Sequence, residues 1–127
     1  MPDQIPPPGP ERDAEIMKGL GWQPTVIGRG HFLHGVEDIT HWKRPDGSQT
    51  GIVPPYSTDS ACADRLAEEM VRRGYQLVHR SDRQGHGARF MVDDPTASDG
   101  LAFYEGRGAT RPDAVSAAAL LALRGGA

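Results

Sequence analysis

Three stretches in the second half of the chain alternate apolar and polar residues: YQLVHR (75–80), GARFMV (87–92) and LAFYE (101–105). A period of two is the strand signal, and the turn-rich linkers SDRQGHG and DDPTASDG are short enough to make neighbours antiparallel. Tyr75, Leu77 and His79 should share one face. Ala88, Phe90 and Val92 form a second set, and Leu101, Phe103 and Glu105 a third, with Ala102 and Tyr104 opposite. A helix is expected on each side of this meander. STDSACADRLAEEMVRRG has Ser57 or Thr58 as cap, Asp59 at the positive end of the dipole, Arg72 and Arg73 at the negative end, and Gly74 as terminator. Its apolar stripe reads Cys62, Leu66 and Met70, with Val71 beside it. TRPDAVSAAALLALR has Thr110 as cap, Asp113 three residues on, and Pro112 in the tolerant first turn. The order helix, three strands, helix predicts an α+β fold with a three-stranded antiparallel meander flanked by helices.

The first half is less regular. MPDQIPPPGP offers little to bury and reads as a flexible lead over residues 1–12. ERDAEIMKGLG reads as a short helix with Ile16 and Leu20 at i, i+4 and Gly21 just past its end. A helix this short needs docking to persist. Short irregular strands are expected near Thr25–Ile27, His31–Leu33 and Ile39–Lys43, and RPDGS (44–48) is a turn. The expected division is a lead (1–12), one domain (13–124) and a frayed tail (125–127).

Composition removes several classes. The chain has 127 residues, one ordinary domain, and its formal net charge is −3. No global basic field attracts nucleic acid, so any anion site must be local. The single cysteine, Cys62, leaves no disulfide framework and no cysteine-based zinc site, and it suits a reducing compartment. No apolar run reaches the ~18–20 residues of a membrane span, and the first residues do not read as a secretory signal. A cytoplasmic setting is the expectation.

Direction of travel then suggests a site. If strand 75–80 returns to where the preceding helix began, and the next two strands go out and back, both later helices begin at the same end. Helix N-termini present free N–H groups and partial positive charge. The loops at that end carry arginines, so an anion-binding rim is expected from Tyr56, Ser57, Thr58, Arg83, His86, Arg107, Thr110 and Arg111.

Other chemistry has less support. HFLHGVEDITHW (31–42) offers His31, His34 and His41 with Glu37 and Asp38, which makes a metal-dependent hydrolase an alternative. Gly30 and Gly35 disfavour a helix, and in a strand His31 and His34 face opposite ways. No nucleophile elbow or catalytic pair is present. GRGAT has two glycines before a helix but lacks the third of a dinucleotide fingerprint. No catalytic residue and no cofactor are therefore expected, and the protein reads as a binder. Trp22 and Trp42 lie beside polar turns, where either could stack on a base; packing onto the sheet is the plainer use of an aromatic.

Two resemblances follow from residues already quoted. VPPYSTD (53–59), a helix ending VRRGY, a meander, TRPDAVSAAALLAL, and the upstream AEIMKGLGW are together similar to the phage ABA sandwich domain family, over about residues 13–124. The resemblance implies an α/β sandwich of phage or prophage origin with no established activity. In that setting the expectation is a small accessory protein in the host cytoplasm, countering host defence by sequestering an anionic nucleotide or occluding a host protein. A homo-oligomer with shared pockets is expected, because one small domain has limited concavity. GRGATRPDAVSAAALLAL also resembles the end of a double-stranded RNA-binding domain. That family's phosphate-contacting lysines are replaced here by Arg111, Pro112 and Asp113, so nucleic acid is the alternative partner.

Overall fold

The fold is organised by the last helix, α3 (Arg111–Gly125). From Ala114 to Leu123 nearly every side chain is buried, so this helix is enclosed on all sides rather than amphipathic. The computed structural model describes residues 4–27 and 39–125. Around α3 lie α1 (Pro10–Gly19), α2 (Ser60–Arg72) and a sheet of β4 (Gln76–Asp82), β5 (Gly85–Asp93) and β6 (Leu101–Gly108). These three strands form the expected meander, β4-β5-β6, antiparallel throughout. The fold is α+β.

Small residues let the layers close. Gly106 lies beneath α3, where an added Cβ would come within 2.4 Å of the Ala114 carbonyl and 2.5 Å of the Ala118 nitrogen. Gly19 does the same for α1, where a Cβ would meet that of Leu123 at 2.9 Å. Phe90, Ile16, Met17, Leu66 and Met70 fill the space between. Val71, placed beside the apolar stripe of α2 by sequence, is exposed; Ala63 and Ala67 complete the buried face instead.

Both early helices end alike. After α1, Gly21 has φ 101°, its N–H reaches the Lys18 carbonyl, and the Trp22 N–H reaches the Met17 carbonyl. After α2, Gly74 has φ 101°, its N–H reaches the Val71 carbonyl, and the Tyr75 N–H reaches that of Met70. This pair of bonds satisfies the orphan carbonyls and turns the chain sharply. The glycine that permits it was readable in each case.

Three features differ from expectation. A second antiparallel sheet forms from β1 (Gln23–Ile27), β2 (Ile39–Lys43) and β3 (Gln49–Thr50), where only irregular strands were expected. The RPDGS turn makes β2-β3 a hairpin: Gly47 has φ 92° and the Arg44 N–H bonds the Ser48 carbonyl. The cap of α2 is Asp59, whose carboxylate accepts from the Cys62 N–H at 2.9 Å, rather than Ser57 or Thr58. Residues 4–9 are tied to the domain, and α1 begins at Pro10, before the expected boundary at 13. The Pro6 carbonyl accepts from Arg12, the Gln4 carbonyl from Arg124, and Ile5 packs on the core. The strand expected at His31–Leu33 lies outside the described residues.

The starts of all three helices meet, one more than expected. Arg12 is only 5% exposed, and its guanidinium donates to the Asp113 carboxylate (2.7 Å), the Asp113 carbonyl (2.9 Å) and Ser116 Oγ (3.0 Å). Asp13, also buried, accepts from the Ser57 N–H at 2.9 Å, and Ser57 Oγ accepts from the Gly9 N–H at 2.8 Å. A buried charge that loses its partner has nothing to replace it. Arg12→Ala should therefore cost about 3–5 kcal/mol in urea unfolding, far above an exposed arginine substitution. Gly106→Ala should cost about 1–3 kcal/mol or more by the same measurement, because the methyl meets backbone atoms that cannot step aside.

Candidate functional site

The sheet separates the residues expected to form one rim. Along β5 and β6 the even-numbered positions face α3 and the odd-numbered ones face away, so His86 is on the inner side and Arg107 on the outer. His86 and Arg107 were both expected in loops and both belong to strands. Arg83 is exposed in the β4-β5 turn. Tyr56 and Ser57 are buried rather than on an open rim: the Tyr56 hydroxyl points to Met17 Sδ at 3.8 Å while its ring borders a cavity on the flank of α2, and Ser57 is spent on Gly9 and Asp13. Thr58 is exposed. Thr110 is the expected cap of α3, accepting from the Asp113 N–H at 3.2 Å. Arg111 pairs with Asp64 of α2. The helix starts do converge, but their polar groups are largely consumed by one another.

His86 has an unexpected neighbour. Its ring stacks on that of His79, centroids 5.3 Å apart, with Nδ1 of His86 and Nε2 of His79 separated by 3.1 Å. That bond needs a lone pair on one ring, so one imidazole must be neutral. Burial, then Arg111, then His86 disfavour the cation of His79 and lower its pKa below the ordinary value of 6.5. Of the metal candidates, His31 and His34 lie outside the described residues, and His41 bonds Gln49 at 2.8 Å. Among the described residues no three histidine, cysteine or carboxylate side chains converge on a metal position.

A concave site occurs elsewhere, on the flank of α2. A cavity of about 200 Å³ opens between α2, the end of α1 and the β2-β3 hairpin. Its apolar part comes from Leu20, Trp22, Pro54, Tyr56 and Leu66, with the half-buried Cys62 at one side. Its polar part is four arginines, Arg44, Arg65, Arg72 and Arg73, against a single carboxylate, Glu69. Each arrives for a local reason. Cys62, Arg65, Glu69 and Arg72 recur every three or four residues, which places them on one side of the helix. Arg44 is delivered by the RPDGS turn, and its guanidinium lies 4.5 Å from the centre of the Trp22 ring, a cation–π contact.

The charges in this cavity are unevenly satisfied. Glu69 takes Arg72 at 3.0 Å and Arg73 at 3.1 Å. Burial opposes ionisation of Glu69, but those two hydrogen bonds outweigh it and hold its pKa below the ordinary range. Arg73 also donates to the Leu20 carbonyl, fixing the end of α1. Arg44 reaches Ser48 and Asp46 only loosely, at 3.5 and 3.6 Å, and its Nε is buried without a hydrogen-bond partner among the described residues. Burial raises the pKa of Cys62, so its thiol is no activated nucleophile. The arrangement suits an anion with a flat or apolar portion: arginine forks for the charge, Trp22 and Tyr56 for the rest.

The sequence reading missed Arg44, Arg65, Arg72 and Arg73 as ligand groups. The available signal was the spacing 62, 65, 69, 72 beside the apolar stripe of α2; Arg44 left none, because a turn distant in sequence supplies it. Trp42 is core, as the plainer reading had it, and Trp22 is half-buried at the cavity. No helix among the described residues is long and apolar enough to cross a membrane. Comparison with protein-family models, curated proteins and solved structures finds no match to the chain.

The histidine pair gives a pH test. His79 binds a proton less readily folded than unfolded, so its contribution to stability is complete above about pH 6.5. It is lost as pH falls through that value toward the depressed folded pKa. The urea midpoint should drop between pH 7 and pH 5, and His79→Gln should flatten that slope. Equal slopes in the two proteins would remove the argument.

Proposed function

We propose that this protein is a non-enzymatic binder of a small anionic ligand carrying a planar group, held in the arginine-lined cavity of α2. The observation that carries the reading is the convergence of four arginines with Trp22 and Tyr56 on one cavity, one arginine retaining a buried Nε with no partner among the described residues. A buried donor without a partner is costly, and a ligand oxygen would relieve it. In this cavity the single carboxylate, Glu69, is held by two arginines and the Cys62 thiol has a raised pKa, which favours capture over turnover there.

In the phage setting that the motif order resembles, such a protein would act in the host cytoplasm by sequestering a nucleotide signal. The volume supports the oligomeric part of this proposal. About 200 Å³ is below the ~300–1,000 Å³ usual for a small-molecule site, so a second protomer closing over the opening would complete it.

Calorimetric titration with adenosine monophosphate, ADP-ribose and a cyclic dinucleotide is the direct test. Saturable binding of at least one is expected. Arg65→Glu and Arg44→Glu should each weaken it about 10- to 100-fold, from the ~1.5–3 kcal/mol of a charge-assisted hydrogen bond. Binding that ignores both substitutions would place the ligand elsewhere. No binding of any of the three would refute nucleotide capture.

A further inference from the structure

The outer face of the β4-β6 sheet has a gap that the fold does not require. Gly87 is the third residue of the central strand, inside its paired length, where glycine weakens a sheet. Its neighbours in the sheet have structural reasons to be glycine. Gly85 has φ 125°, Gly106 admits α3, and Gly108 lies against the Asp113 side chain. Gly87 has neither reason: its φ is not positive, and a Cβ built on it meets nothing within 4 Å. One use of a strand glycine without a folding role is to let a ligand or another chain approach the backbone closely.

What flanks it is specific. The register places Arg80 of β4 and Arg107 of β6 directly opposite Gly87, one on each side. Two strand spacings put their backbones about 10 Å apart, so two guanidinium forks can close on one tetrahedral anion from opposite sides. A depression of about 330 Å³ lies over Gly87 between them, with Val78, Asp82, Arg89 and Glu105 completing its walls.

The local charges leave these arginines available. Arg89 is held by Glu105 at 2.7 Å. Among the described residues Arg107 has only a long contact to Asp82, 3.9 Å between two well-exposed groups. Arg80 makes no ion pair among the described residues. Next to the depression the face turns apolar, with Val78 46% and Phe103 43% exposed, and Arg89 lies 5.4 Å from the centre of the Phe103 ring.

We propose that this face is a second binding site, distinct from the α2 cavity. It takes a phosphoryl group over Gly87 between Arg80 and Arg107, with the organic part of the ligand directed toward Val78 and Phe103. A free nucleotide and a phosphate within a single nucleic-acid strand present the same chemistry.

Amide chemical shifts of the full chain, followed during titration with inorganic phosphate, adenosine monophosphate and a ten-residue oligothymidine, test the site and separate the sources. Saturable shifts are expected at Gly87 and its neighbours on β4 and β6. Affinity for adenosine monophosphate at or above that for the oligomer identifies a free ester as the source; at least tenfold tighter binding of the oligomer identifies a strand. Gly87→Val fills the floor with room to spare and should abolish the shifts in a protein whose spectrum is otherwise retained. Arg80→Glu and Arg107→Glu should each weaken binding at least tenfold, which keeps the test decisive if the valine disturbs the sheet. No saturable shift at Gly87 with any of the three probes, or equal affinity in both arginine variants, would overturn the proposal.

Discussion

The structure depends on α3 being enclosed on every side. A helix can be surrounded by two other helices and a sheet only if its side chains are small where the neighbours cross. Ala114, Ala117, Ala118, Ala119 and Ala122 meet that condition, and Gly106 and Gly19 extend it to the sheet and to α1. The close approach has a topological consequence. All three helices gather on the same side as α3, and the opposite face of the sheet faces outward among the described residues. The alanine-rich helix thus decides both where the core is and which face remains open for contact.

Enclosure also explains what happens to the polar groups at the helix starts. Free N–H groups and a cap serine look like a ligand site when each helix is considered alone. Once α1 and α2 are pressed against α3, those groups are close enough to satisfy one another. Ser57 receives the Gly9 N–H, Asp13 receives the Ser57 N–H, and Asp113 receives Arg12. Desolvated groups must be paired, so the close packing of the helix starts removes the chemistry from this end. Ligand groups persist where packing is looser, along α2 beside the hairpin and on the outer face of the sheet.

The parts of the fold that were legible are those written in local sequence. Strand period showed the β4-β6 meander, and Gly21, Gly74 and Thr110 marked helix ends because each relieves a backbone requirement at its own position. The parts that were not legible depend on a partner distant in the chain. Asp59 displaced Ser57 as cap because Ser57 was drawn to Gly9, 48 residues away. The RPDGS turn was evident, but the two-residue strand after it exists only by pairing with β2. His86 read as a loop residue because glycines flank it; pairing of Ser81 with His86 extends the strands past those glycines and brings its ring onto His79. The α2 cavity was half legible, since helical spacing aligns Arg65 with Glu69 and Arg72, whereas nothing local to Arg44 indicates that it will cover Trp22.

Parity along a strand then decides which arginines can cooperate. Arg107 and His86 are close in the sheet yet separated by its thickness, so no single ligand can use both. Arg107 and Arg80 come from different strands and lie on the same face, in the same row. The two glycines of the sheet that matter most follow the same rule with opposite results. Gly106 points inward, where a side chain would collide with α3, so its absence closes the core. Gly87 points outward, where a side chain would meet nothing, and it floors a depression between two cations. Only the inward glycine is accounted for by folding. For the outward one, the proposed approach of a ligand to the bare backbone from solvent supplies a reason that folding does not.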